Sequence, residues 1–293
     1  MTHQNSFTLI NPQTKALAFR VFDFDDDSYF SETGNYNYYS MIIVVKGSGI
    51  LHSDMSDYTF GQNSLLCFSV YQPFSITAQG DFNGILINFH PDFFCIHKHG
   101  QEVACNGVLF NNIYESPIVN LSRQELDILL QLADQLKAEA QDAALAQYEM
   151  MVSYLKIFLI NASRIKANQG ITPVSVMAKE PFILQTLKDA IEEHYKTKHS
   201  PGEYAKLLNI SVKALNRLSK SVFNKTLSKL IVDRIIIEAK RELYLTSKPV
   251  KTIAFELGFD DEFYFSRLFK NNAEVSPRIF RNTVGFAKAE INS

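Results

Sequence analysis

The segment VKTIAFELGFDDEFYFSRLFK, residues 250–270, reads as two short helices around a sharp turn. Ile253, Ala254 and Leu257 recur at one-turn spacing and belong on a buried side. Gly258 supplies the turn, and Asp260 or Asp261 can cap the next helix by accepting from its free backbone N–H groups. On that helix Phe265, Leu268 and Phe269 form an apolar stripe. This leaves Phe263, Ser266, Arg267 and Lys270 on the other side, with Glu262 and Tyr264 near its start. The pattern is a helix-turn-helix.

Upstream the same plan recurs. Ser200-Pro201 opens a helix with Tyr204, Ala205 and Leu208 inward, Asn209 to Ser211 makes a tight turn, and Ser211 caps a second helix. There Val212, Leu215, Leu218 and Val222 read as the apolar stripe, and Lys213, Asn216, Arg217 and Lys220 fall on the other face. Between the units Leu227 to Leu245 reads as one helix of about 28 Å at 1.5 Å per residue. That approaches one turn of B-DNA, about 34 Å. Arg and Lys can pair with guanine, Asn with adenine, and an outward Phe can meet a thymine methyl, so double-stranded DNA is the expected partner. A solvated cationic face is the alternative for the first helix, and packing on neighbouring helices for Phe263 and Tyr264.

Charge divides the chain in the same place. Residues 1–180 carry 10 Lys and Arg against 18 Asp and Glu, a balance of −8; residues 181–293 carry 19 against 13, a balance of +6. A positive C-terminal part suits a polyanion. At 293 residues and 46% apolar content, two folded units are expected.

From Phe7 to about Phe94 the runs LAFRVF, YYSMIIVV, YTF, SLLCFSV, FSITA and GILINF are short strands punctuated by turn residues, which predicts an antiparallel β-barrel or sandwich. Tyr38, Tyr39, His52, Phe68, Phe74 and Phe89 can line an effector pocket inside it, or simply fill it. Ser122 with Glu125 marks a capping box, and two amphipathic runs come after it, the second from Ala144 to Ala167. This hairpin can pack on the barrel or pair two chains into a homodimer through Leu155 and Leu159. The expected organisation is therefore α+β and multidomain: a barrel over 1–120, a helical hairpin over 121–167, a linker over 168–180 and an all-α tandem helix-turn-helix domain over 181–293.

Three cysteines without a CxxC suggest neither a disulfide framework nor a zinc ribbon. His90, Cys95, His97, His99, Glu102 and Cys105 carry metal-ligating groups, with His97 and His99 the nearest to a metal motif. Both come after the last clear strand, so no metal or other cofactor is expected and a metal-dependent barrel enzyme is the lesser reading. No run of about eighteen apolar residues and no secretory signal are seen, so a cytoplasmic protein without membrane contact is expected.

Ile253-Ala254, Gly258-Phe259, Phe265-Ser266-Arg267, Phe269-Lys270, Ser276-Pro277 and Arg281 resemble the signature of AraC/XylS-type transcription regulators. The resemblance spans essentially the whole chain and is densest over residues 200–282. It implies a bacterial transcription activator, not an enzyme, with a cupin-like barrel for an unidentified small-molecule effector and RNA polymerase as a further partner. It places Lys213, Asn216, Arg217, Glu262, Phe263, Tyr264, Ser266 and Arg267 toward bases. The chain departs from the pattern at Lys225 and Glu274, where a Gly is usual after each recognition helix.

Overall fold

The runs MIIVV, SLLCF and GILINF are apolar at consecutive positions, and strands of that kind need cover on both faces. In the computed structural model, which describes residues 6–11, 15, 17–34, 36–54, 56–97, 99–103, 105–141, 144–169 and 182–284, they form the centre of an antiparallel sheet. Its strands are β1 (Phe7–Ile10), β2 (Leu17–Phe24), β3 (Tyr39–Ser53), β4 (Ser56–Phe60), β5 (Ser64–Phe68), β6 (Phe74–Phe89) and β7 (Ile118–Asn120). The order is β1-β2-β6-β3-β5-β7, with β4 paired to β3.

The long β3–β6 pairing shifts register between Val44 and Lys46 and between Lys46 and Ser48. Such bulges bend a ribbon. The two halves of the ribbon meet in one interior cluster that holds Phe22, Ile42, Leu51, Phe68, Phe74, Phe82 and Leu86. The predicted barrel is thus a rolled sheet.

The other face of the roll is also dry, with Phe19, Val21, Met41, Ile43, Leu65 and Ile87 at 0% exposure, apart from Ile85 at 5%. After the short helix α1 (Gly100–Val103), helices α2 (Arg123–Gln141) and α3 (Gln147–Gln169) pair as a hairpin against the sheet, α2 meeting β1 and β2 and α3 meeting β7. The predicted capping box opens α2: Glu125 accepts from the Ser122 N–H at 2.8 Å, and Ser122 Oγ accepts from the Glu125 N–H at 3.3 Å. Leu155 and Leu159 are wholly buried within this one chain, which corrects their assignment to a dimer contact. The apolar stripe of α3 is used up inside its own unit.

The remaining helices are α4 (Phe182–His194), α5 (Pro201–Leu207), α6 (Val212–Phe223), α7 (Leu227–Leu245), α8 (Val250–Glu256), α9 (Glu262–Ala273) and α10 (Pro277–Val284). All of the others pack on α7, whose Leu227, Leu230, Ile231, Ile235, Ala239 and Leu243 are fully buried. Two units result, Met1–Asn112 with Pro117–Gly170, and Ile113–Ser116 with Ile171–Ser293. Residues 170–180 of the predicted linker lie outside the described residues, and 168 and 169 belong to α3. Among the described residues no helix is long and apolar enough to cross a membrane.

Candidate nucleic-acid interface

The C-terminal helix-turn-helix forms as its residues require. Asp261 caps α9, its Oδ1 accepting from the Phe263 N–H at 2.7 Å. Gly258 turns the chain at φ +81°, and a Cβ there would stand 2.1 Å from the Lys196 carbonyl oxygen, so two constraints select glycine. Ile253, Ala254, Leu257, Phe265 and Phe269 are buried. On the opposite face Phe263 is 75% exposed and Tyr264 52%, with Arg267 and Lys270 also in solvent and Glu262 and Ser266 partly so. Phe263 therefore does not pack into the domain, whereas the Tyr264 ring leans on Phe259 with centroids 6.0 Å apart.

The first unit repeats this frame at a constant offset. Ser211 and Asp261 are the N-caps of α6 and α9, and Asn224 and Glu274 are their left-handed C-caps. Lys213, Arg217 and Lys220 thus occupy the helical positions of Phe263, Arg267 and Lys270, and all six are exposed. The buried stripe of α6 is Leu215, Ser219 and Phe223, while Val212 is 40% and Val222 49% exposed, which corrects the expected stripe. Ser219 and Phe223 stand where α9 has Phe269 and Ala273, so the large residue has moved one turn along and the packed volume is kept.

Asn216 differs from its neighbours on the predicted reading face. Its Oδ1 accepts from the backbone N–H of Leu227 at 3.1 Å, satisfying a donor at the start of α7. Asn216→Ala is expected to lower the stability of DNA-free protein by about 1 kcal/mol, because the Leu227 N–H loses its acceptor. A denaturation curve unchanged from wild type would refute this bracing role.

The two departures from the glycine pattern have separate explanations. In the first unit Asn224 takes the left-handed turn at φ 55°, and Lys225 turns inward. In the second Glu274 takes it at φ 58°, a conformation that strains a side chain with Cβ. Glu274→Gly is expected to stabilise the domain by about 1 kcal/mol and to raise the melting temperature.

The spacing of the two faces is held by a charged network. Asp233 on α7 receives Lys225 at 3.0 Å and Lys229 at 2.7 Å, and Lys229 also donates to Asn272 of α9 at 3.2 Å. Further along α7, Arg234 bonds Glu192 at 2.7 Å and Glu238 at 3.2 Å and lies 3.9 Å from the centroid of the Tyr195 ring. Burial pushes the Glu238 carboxyl up, but Arg234 and Arg241 outweigh it and hold it below its ordinary value.

The sheet unit brings together only some of the predicted pocket residues. Phe68 and Phe74 stack at 3.7 Å in the interior cluster, and Tyr38 is buried beside Tyr29, its hydroxyl 3.3 Å from the other. Phe89 points the other way, against Tyr39 and Phe110. His52 alternates with the inward Leu51, is partly exposed and pairs with Asp57 at 2.7 Å. Tyr39, His52 and Phe89 therefore do not line the interior, which corrects their assignment to a pocket there. The pattern missed Arg20, Tyr29, Tyr36 and Asn88, which the fold gathers with Tyr38. His99 pairs with Glu102 at 3.0 Å and stacks on Phe94, and His97 is partly exposed. No group of three His, Cys, Asp or Glu able to hold a metal occurs among the described residues.

A family model described as a helix-turn-helix domain matches residues 204–283, from within α5 to within α10. The regulatory protein SoxS of Salmonella typhimurium is 32% identical over 100 residues, covering 34% of this chain and 94% of SoxS. The raffinose operon transcriptional regulatory protein RafR of Pediococcus pentosaceus is 30% identical over 114 residues, 39% of this chain and 40% of RafR. The transcriptional activator Btr of Bacillus subtilis is 24% identical over 241 residues, 82% of this chain and 43% of Btr. The chain thus spans less than half the length of RafR and of Btr. SoxS is matched over nearly its whole length at 32% identity, and the chain belongs to the AraC/XylS family of helix-turn-helix, DNA-binding transcription regulators.

Proposed function

We propose that α6 and α9 enter successive major grooves on one side of double-stranded DNA, and that the sheet unit binds a small effector which controls this binding. The observation that carries the first part is the repeated outward set, Lys213, Arg217 and Lys220 on α6 and Phe263, Arg267 and Lys270 on α9, at matching helical positions. In this reading residues 181–293 hold DNA, 1–120 hold the effector and 121–167 pair two chains. The effect is transcription activation, as the name of Btr suggests, and the family resemblance adds contact with RNA polymerase in the cytoplasm.

Hydroxyl-radical footprinting on selected operator DNA tests the groove assignment. Two protected patches on one side of the duplex, about 10 base pairs apart, are expected; a single patch would refute it. For pairing, the large apolar side chains exposed on the hairpin include Ile128 and Ile157, each 45% exposed, beside Leu145, Tyr148 and Met150. Ile157→Asp is expected to give monomers in sedimentation with an unaltered melting temperature. Wild-type protein that sediments as a monomer at all concentrations would remove pairing from the reading.

A further inference from the structure

The interior face of the rolled sheet changes character along one transverse row. Register pairs Phe22 with Leu86 and Leu86 with Ile42, all members of the apolar cluster. The next row on the same face pairs Arg20 with Asn88 and Asn88 with Ser40, and Ser40 with Phe68. Directly opposed residues of neighbouring strands share a face with Cβ atoms about 5 Å apart, so Arg20, Asn88 and Ser40 project to the interior beside Phe68.

Asn88 is 0% exposed, and both its Nδ2 and Oδ1 are without a hydrogen-bond partner. A buried amide left unmet is costly and calls for a ligand. Beside it the Arg20 guanidinium donates to the Tyr29 hydroxyl at 3.3 Å, and no carboxylate among the described residues pairs with it. The Tyr29 hydroxyl lies 3.3 Å from that of Tyr38, and the Tyr36 ring stacks on Tyr38 at 4.9 Å. Burial and the neighbouring Tyr29 push the Tyr36 phenol up to about 12, so at neutral pH its O–H keeps its proton and can donate.

We infer that Arg20, Asn88 and the tyrosines 29, 36 and 38 form a binding site for a small organic monocarboxylate. Arg20 takes the carboxylate, the Asn88 amide takes a polar group next to it, and the tyrosine rings hold the carbon skeleton. A planar guanidinium matches a carboxylate in shape. A single cation balances one negative charge, whereas a phosphate monoester carries nearly two at neutral pH. This inference rests on the reading of the sheet unit as the effector domain and names the class of effector.

The test measures the melting temperature of the full chain with millimolar acetate, butyrate, benzoate and salicylate, each beside its neutral amide, and with a parallel panel of sugars and nucleosides. At least one acid is expected to raise the melting temperature while its amide does not. Arg20→Gln should weaken that acid roughly tenfold or more, with Arg20→Lys retaining part of the affinity. Asn88→Leu should also weaken binding, yet raise the melting temperature of the ligand-free protein, because an unmet buried amide is replaced by an apolar group of similar size. This opposite pair of shifts separates a binding role from a structural one and stands if Arg20→Gln fails to fold. Equal shifts from acid and amide, or an acid shift that survives Arg20→Gln, would overturn the inference. Shifts from the neutral panel alone would overturn it and leave the sensor reading standing; no shift from either panel would overturn both.

Discussion

Asp233→Ala is expected to destabilise the helical unit by about 3 to 5 kcal/mol, because it strands two buried ammonium groups. Lys225 is 6% exposed, Asp233 8%, and the Lys229 side chain 15%. The carboxylate answers Lys225 with one oxygen and Lys229 with the other. Removing it deletes few apolar atoms, so lost packing contributes little. A triple variant, Asp233→Ala with Lys225→Met and Lys229→Met, should recover most of the loss, since uncharged residues of similar volume carry no desolvation penalty. Helical circular dichroism in urea measures both. A single-variant loss under about 1 kcal/mol would show the network to be solvated and weak.

The same substitution reaches the DNA face at a distance. Lys229 also bonds Asn272 of α9, and Lys225 directly succeeds the left-handed cap of α6. The network therefore ties the end of one recognition helix and the side of the other to α7. If spacing matters, Asp233→Ala should impair binding to a two-groove operator more than binding to non-specific DNA, measured below the temperature at which the variant melts.

Much of this helical architecture is legible in the sequence because its signals are local. The caps at Ser211 and Asp261, the turn at Gly258 and the 3.6-residue stripes each involve residues within a turn or two of one another. Where sequence and structure part, a long-range interaction decides. Ser219 is polar, so periodicity draws the stripe of α6 through Val212 and Val222, yet Ser219 is buried because its hydroxyl donates to the Lys225 carbonyl across the turn at 2.7 Å. Asn216 has the composition of a base reader, but its acceptor is claimed by an N–H eleven residues away.

The sheet unit is harder to read for a related reason. Strands apolar on both sides do not reveal which face is the interior, so side-chain type alone places Phe89 and His52 inside. One signal is available: in LAFRVFDF, Arg20 shares the alternation of Phe22 and Phe24, an inward position for a charge. The hairpin stripe with Leu155 and Leu159 carries the same ambiguity, since an amphipathic helix does not say whether a sheet or a second chain covers it.

Arg217→Ala and Arg267→Ala are each expected to weaken binding to a cognate operator by about 1 to 3 kcal/mol. Both guanidiniums are exposed, at equivalent positions of α6 and α9, and neither pairs with a carboxylate among the described residues. Truncation should therefore leave the melting temperature unchanged, unlike Asn216→Ala. Effects at two well-separated helices should add, so the double variant should lose about 2 to 6 kcal/mol and approach non-specific affinity. Salt dependence separates the modes of contact. An arginine on a phosphate lowers the slope of log affinity against log salt by about one and weakens all sequences alike, whereas one on a guanine leaves more of the slope and relaxes discrimination at that base. Unchanged affinity in both single variants would remove these faces from the interface.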